Sequence, residues 1–147
     1  IPKILGVQST GCCPFVDADS RDGILKPTPE DTLADSIAVG VPRNPVKAQR
    51  AVRDSGGTWI AVSDDEILDA MRLLGRTEGV FSEPAGVTAT AGVKAAVAKG
   101  IIKQHESVTV VSTGSGLKDV KNAMLAAGEP FKCEPDIKAL EASGRIR

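Results

Sequence analysis

The sequence predicts an α/β fold built on a mainly parallel sheet with helices on both faces, and three observations carry that expectation. Short β-branched, apolar runs at residues 3–8, 58–62, 79–81 and 108–111 alternate with segments of helical periodicity. Helix punctuation recurs between them, with glycine closing segments at Gly40, Gly56, Gly100 and Gly128. Neither internal repeats nor low-complexity tracts interrupt the alternation. With 147 residues, one domain with a proper core is expected across 1–147.

Each element has its own warrant. Residues 3–8 (K-I-L-G-V-Q) read as a short buried strand, and residues 12–17 as a helical turn with Pro14 near its start. Residues 17–31 carry two prolines and one glycine among polar residues and are expected to form a mobile loop. Residues 32–39 place Leu33 and Ile37 four apart, which predicts a short helix. Asn44 then reads as an N-cap with Pro45 at the first helical position, and that helix runs to a stop at Gly56-Gly57. Trp59 sits in the next strand with a packing role expected.

Ser63 and Glu66 have the spacing of a capping box, and Ile67, Met71 and Leu74 line one face of the helix that follows. Residues 87–99 form a helix rich in alanine and glycine, small enough to approach a sheet or a second helix closely. Residues 108–111 read as a strand that breaks into Thr113-Gly114-Ser115-Gly116 and resumes as a helix over residues 118–127. A final short helix is expected over residues 135–143.

Composition excludes several functions. A net charge of −1 and 3% aromatic content give neither the field nor the stacking platforms that nucleic-acid binding needs. No apolar run approaches a bilayer span. Three cysteines, two of them adjacent, form no disulfide framework and no zinc spacing, and they suit a reducing cytoplasm. His105, the single histidine, falls in a polar turn, so no metal site is expected. The chain opens on Ile1-Pro2-Lys3 rather than methionine and is read as a piece of something longer.

In a parallel sheet the C-terminal ends of the strands share one edge, so residues 82–86 and 112–116 should face one crevice. These segments also carry a resemblance. I-L-G-V-Q-S-T-G-C-C-P (4–14), T-L-A-D-S-I (32–37), R-A-V-R-D-S-G-G-T (50–58), A-V-S-D-D-E-I (61–67), G-V-F-S-E-P-A-G (79–86) and T-G-S-G-L-K-D (113–119) resemble threonine synthases. Those are fold-type-II enzymes that use pyridoxal 5′-phosphate, on the tryptophan-synthase-β-like fold. Glu-Pro-Ala also occurs in related dehydratases and sulfhydrylases, whereas the Thr-Gly-x-Gly-Leu-Lys-Asp ending is the most specific to threonine synthases. Ser115 stands where many family members carry histidine.

The resemblance implies a site. Thr113 would place its hydroxyl on the pyridine nitrogen of the cofactor, where it holds no proton as an aspartate would. Glu83 and Ala85, with Pro84, would line the cofactor cleft, and Ser112 and Gly114 would shape its floor. The family's Schiff-base lysine and its glycine-rich phosphate cup would lie before Ile1. Lys94 and Lys118 are read as surface charges on helices, so no catalytic residue is assigned within this chain.

The expected function is therefore the C-terminal part of a lyase, inert alone, that converts O-phosphohomoserine and water to threonine and phosphate. Its partners would be a small amino-acid substrate, the missing N-terminal portion and a second copy in a cytoplasmic homo-oligomer. Alternatives are a threonine dehydratase, a cysteine-synthase-like enzyme, or a non-catalytic binding domain on the same scaffold.

Overall fold

The computed structural model describes residues 1–128 and 130–144. Two parallel strands, β1 (Leu5–Ser9) and β2 (Thr58–Val62), pair in register from Leu5 opposite Thr58 to Ser9 opposite Val62. The connection between them carries α1 (Pro14–Asp19), a 3₁₀ turn at Asp35–Ile37 and α2 (Pro45–Asp54). After β2 come α3 (Asp64–Glu78), α4 (Pro84–Ala98), a second 3₁₀ turn at Gly116–Lys118, α5 (Val120–Ala127) and α6 (Ile137–Ala142).

Alternation along β2 assigns its two faces. Ile60 and Val62 point into the main apolar cluster with Ile67, Leu68 and Met71 of α3 and Val87, Ala91 and Ala96 of α4. Trp59 faces the other way and stacks on Phe15 of α1, with ring centroids 4.4 Å apart and planes 6° from parallel. Gly6, opposite Trp59 in register, makes room for that indole: a Cβ there would strike its ring. Gln8 lies on the same face and accepts from the Phe15 and Val16 amides at 2.9 and 3.2 Å, which supplies the start of α1 with an acceptor. Helices thus cover both faces of the parallel pair.

On the core side, α4 lies directly on the strands. A Cβ at Gly92 would overlap the Val7 side chain, so the small-residue character of α4 serves close approach to β1. The capping box of α3 is complete: Ser63 Oγ accepts from the Glu66 amide at 3.2 Å, and Glu66 returns a bond to the Ser63 amide at 2.7 Å.

Four expectations are corrected. Residues 79–81 and 108–111 form no ladder among the described residues, so the observed sheet has two strands. In place of those ladders stands one isolated antiparallel bridge, Ser82 with Ser115. The helix expected over residues 32–39 shrinks to the turn Asp35–Ile37, because Asp64 pins its start. The Asp64 carboxylate accepts from Thr32 Oγ1 at 2.6 Å, the Leu33 amide at 3.0 Å and Ser9 Oγ at 3.2 Å. Asn44 holds the cap position of α2, but its side chain accepts no bond from the helix. Finally, Lys118 lies in a 3₁₀ turn and not in an α-helix, since Asp119 starts α5 by accepting from the Asn122 amide at 3.1 Å.

Candidate functional site

Residues 82–86 and 112–118 meet, although not as neighbouring ends of a parallel sheet. The Glu83 amide donates to the Gly114 carbonyl at 2.9 Å, and the Gly116 amide donates to the Phe81 carbonyl at 3.1 Å. Side chains tighten the same junction. Ser82 Oγ donates to the Gly114 carbonyl at 3.0 Å, and Ser112 Oγ donates to Ser82 Oγ at 3.0 Å. The Gly114 carbonyl therefore receives both a backbone and a hydroxyl donor, and the turn is fixed against the start of α4.

Two glycines permit this approach. A Cβ on Gly86 would sit 2.9 Å from the Gly114 nitrogen, and a Cβ on Gly114 would overlap the Glu83 carboxyl group. Pro84 opens α4 at a position where a helix needs no amide. The Thr88 hydroxyl then satisfies the Pro84 carbonyl at 2.8 Å.

Each residue expected in the site has a definite place. Glu83 is buried, 7% exposed, and its carboxylate meets the Lys118 ammonium at 3.4 Å while covering Gly114. Ala85 is half-buried against the apolar cluster. Ser112 is spent on the bond to Ser82, and Gly114 on the two donors above. Thr113 is exposed, and among the described residues its hydroxyl makes no hydrogen bond. A free hydroxyl on a turn held this firmly can accept or donate one bond to a ligand without displacing a protein partner.

Two participants were not foreseen as site residues or were assigned elsewhere. Ser82, 4% exposed, was expected at the crevice as part of residues 82–86 but without a role of its own, and it links Ser112 to Gly114. Lys118, expected as a surface charge, is the ion partner of Glu83 even though its side chain is 64% exposed. Lys94 is exposed on α4, as expected.

Other chemistry is thin. No group of three or more histidine, cysteine or acidic residues suited to a metal occurs among the described residues. Cys12 is buried, Cys133 is exposed, and all three cysteines are free. Burial pushes the Cys13 thiol above its ordinary range and the nearby Asp17 carboxylate adds to the effect, which argues against a nucleophilic thiolate. Two clefts lie elsewhere, one of about 440 Å³ beside the Phe15–Trp59 stack and one of about 280 Å³ behind α1. Neither is lined by the Ser82–Gly86 or Ser112–Lys118 residues.

Comparison with known proteins gives this geometry a family. The sequence profile of pyridoxal-phosphate dependent enzymes matches residues 1–114. Threonine synthase of Methanocaldococcus jannaschii is 42% identical over 144 residues, covering 96% of this chain and 35% of the relative. Threonine synthase of Methanosarcina acetivorans is 39% identical over 143 residues, with 95% and 35% covered. The chain thus spans about a third of the length of these relatives. The crystal structure of threonine synthase from Escherichia coli superposes at a TM-score of 0.67 and 18% identity, over 96% of this chain and 32% of that one. That of a T.th. threonine deaminase superposes at 0.56 and 23% identity, over 66% and 35%. At such identities the two solved structures speak for the fold alone, whereas the sequence matches decide membership: this chain belongs to the pyridoxal-phosphate dependent enzyme family.

Proposed function

We propose that this chain is the C-terminal part of a threonine-synthase-like lyase that, when complete, converts O-phosphohomoserine and water to threonine and phosphate. The observation that carries the reading is the free Thr113 hydroxyl on a turn clamped by Ser82, Ser112 and Glu83. Bound pyridoxal phosphate would supply the electron sink that makes carbon–hydrogen bonds of an amino acid acidic. Thr113 would offer its hydroxyl to the pyridine nitrogen, and Ser112, Gly114, Glu83 and Ala85 would form the wall around it. Because a neutral hydroxyl brings no negative charge to hold a proton on that nitrogen, Thr113 would leave it largely unprotonated. Glu83 would keep its charge on Lys118, away from the ring.

The 42% identity to the Methanocaldococcus threonine synthase favours this activity over deamination or sulfhydrylation. The remaining two-thirds of the fold, a small amino-acid substrate and a homo-oligomeric assembly would complete it. Three free cysteines and the lack of any described helix able to cross a membrane suit a cytoplasmic setting.

The test joins this chain to the part of the Methanocaldococcus enzyme that its match leaves out. The chimera should gain the visible absorbance of protein-bound pyridoxal phosphate and turn over O-phosphohomoserine in preference to threonine or O-acetylserine. Thr113→Ala should lower turnover and shift that absorbance while the melting temperature holds. A chimera that folds but stays colourless overturns the reading.

A further inference from the structure

The cleft of about 440 Å³ lies on the Trp59 side of the β1–β2 pair, away from the Thr113 turn. Ile37, Pro42 and Trp59 give it apolar walls, and Gln8, Arg43 and Asn44 contribute polar lining. A space of this size holds a small organic molecule. Its walls are set by contacts within the chain. The Trp59 indole is held face to face against Phe15, and the missing Cβ of Gly6 makes room for it. Gln8 Oε1 is committed to the Phe15 and Val16 amides, which fixes the orientation of its side-chain amide. Gln8 Nε2 then has no acceptor among the described residues. The Arg43 guanidinium has neither an ion partner nor a hydrogen bond among those residues. Asn44 stands at the cap position of α2, yet its side chain is equally unspent. No carboxylate lines the cleft, and the first turn of α2 beside Asn44 contains no acidic residue.

We propose that this cleft binds a small organic carboxylate with an apolar body. Donors and walls together define that occupant. Arg43 and Gln8 Nε2 can only donate, so they call for an acceptor, while Asn44 can serve in either sense. One guanidinium matches one carboxylate through two parallel bonds. A dianionic phosphate would find a single cation here and would leave the apolar walls without a partner. An apolar body laid along the indole removes both surfaces from water, and the stack on Phe15 keeps the indole from turning away. The cleft shares no residue with the Ser82–Gly86 and Ser112–Lys118 junction. Its ligand is therefore distinct from the cofactor and substrate proposed above, and the two readings fail independently.

Trp59 is the only tryptophan, so its emission reports on the cleft directly. Titration with 3-phenylpropionate should give a saturable change with a dissociation constant of about 1 mM or tighter. The neutral 3-phenylpropionamide has the same body without the charge and should bind on the order of tenfold more weakly. Inorganic phosphate should give no saturable change. Because Arg43 is exposed, added salt should weaken the acid more than the amide. Arg43→Gln should erase the difference between acid and amide while the melting temperature holds, and Arg43→Lys should restore part of it. Ala48→Leu, which places a larger side chain in the lining, should abolish binding of both. A change that rises linearly without saturating overturns the proposal. So does equal binding of acid and amide to the unaltered chain, or binding that survives Arg43→Gln with its charge preference intact.

Discussion

The Lys118 ammonium lies 3.4 Å from the carboxylate of Glu83, joining a 3₁₀ turn to the residue that precedes α4. The two ends of this pair are unlike. The Glu83 side chain is 9% exposed and that of Lys118 is 64% exposed, so one charge is largely removed from water and the other is not. The pair holds the Thr113 turn shut over Gly114, whose missing Cβ leaves the space that the carboxylate fills.

Removing the lysine should therefore cost little by itself and more through its partner. Lys118→Met should lower stability by about 0.5–1 kcal/mol, because the pair is screened on the lysine side. Lys118→Arg should recover most of it. Thermal unfolding of the three proteins measures the difference, and an unchanged melting temperature in Lys118→Met would show that the pair contributes nothing.

Gly114→Ala tests the close approach. Its Cβ would strike the Glu83 carboxyl group, so either the ion pair or the turn must move. The expected cost is about 1–3 kcal/mol, typical of overpacking a close-packed contact. Gly128→Ala, in open space but at a φ of +82°, gives a strain-only comparison measured in the same way.

Asp64 ties β1, the segment before the first 3₁₀ turn and α3 together through three donors. Asp64→Ala should strand the Leu33 amide and two hydroxyls at a cost of about 1–3 kcal/mol. Asp64→Asn keeps the shape and should lose less. Chemical denaturation with an unchanged slope would confirm that stability alone has changed.

The cysteines should react in a fixed order. Cys133 is exposed and should be alkylated first near neutral pH, Cys13 should lag, and buried Cys12 should react only on unfolding. Because burial raises the folded pKa of Cys13, its protonated form is the one favoured by folding. The associated stability is fully present below the ordinary thiol range and is lost as pH rises through the raised value. Alkylation followed by mass mapping across alkaline pH checks both the order and the lag.

Much of the fold was legible. Helix starts were readable where the signal is local: Ser63 with Glu66 closes a capping box within one turn, and Pro45 and Pro84 mark first helical positions. The strand at Thr58–Val62 was legible because its β-branched run lies between glycines and a cap. Residues 108–111 have the same local signal, yet they join no ladder among the described residues. Strand character is a property of a segment, whereas pairing needs a second segment at the right edge, and sequence periodicity does not report one.

The candidate site divides along the same line. From the sequence came the expectation that residues 82–86 and 112–116 face one another, together with the resemblance that suggests a cofactor role for Glu83, Ala85, Ser112, Thr113 and Gly114. Only the tertiary structure decided that they meet through the Ser82–Ser115 bridge, that Lys118 closes on Glu83, and that Asp64 shortens the helix expected over residues 32–39. The physical reason is range. Caps, turns and periodicity act within a few residues, while these three contacts join groups 33, 35 and 31 positions apart, brought together only when α4 packs on the β1–β2 pair and α3 packs on α4.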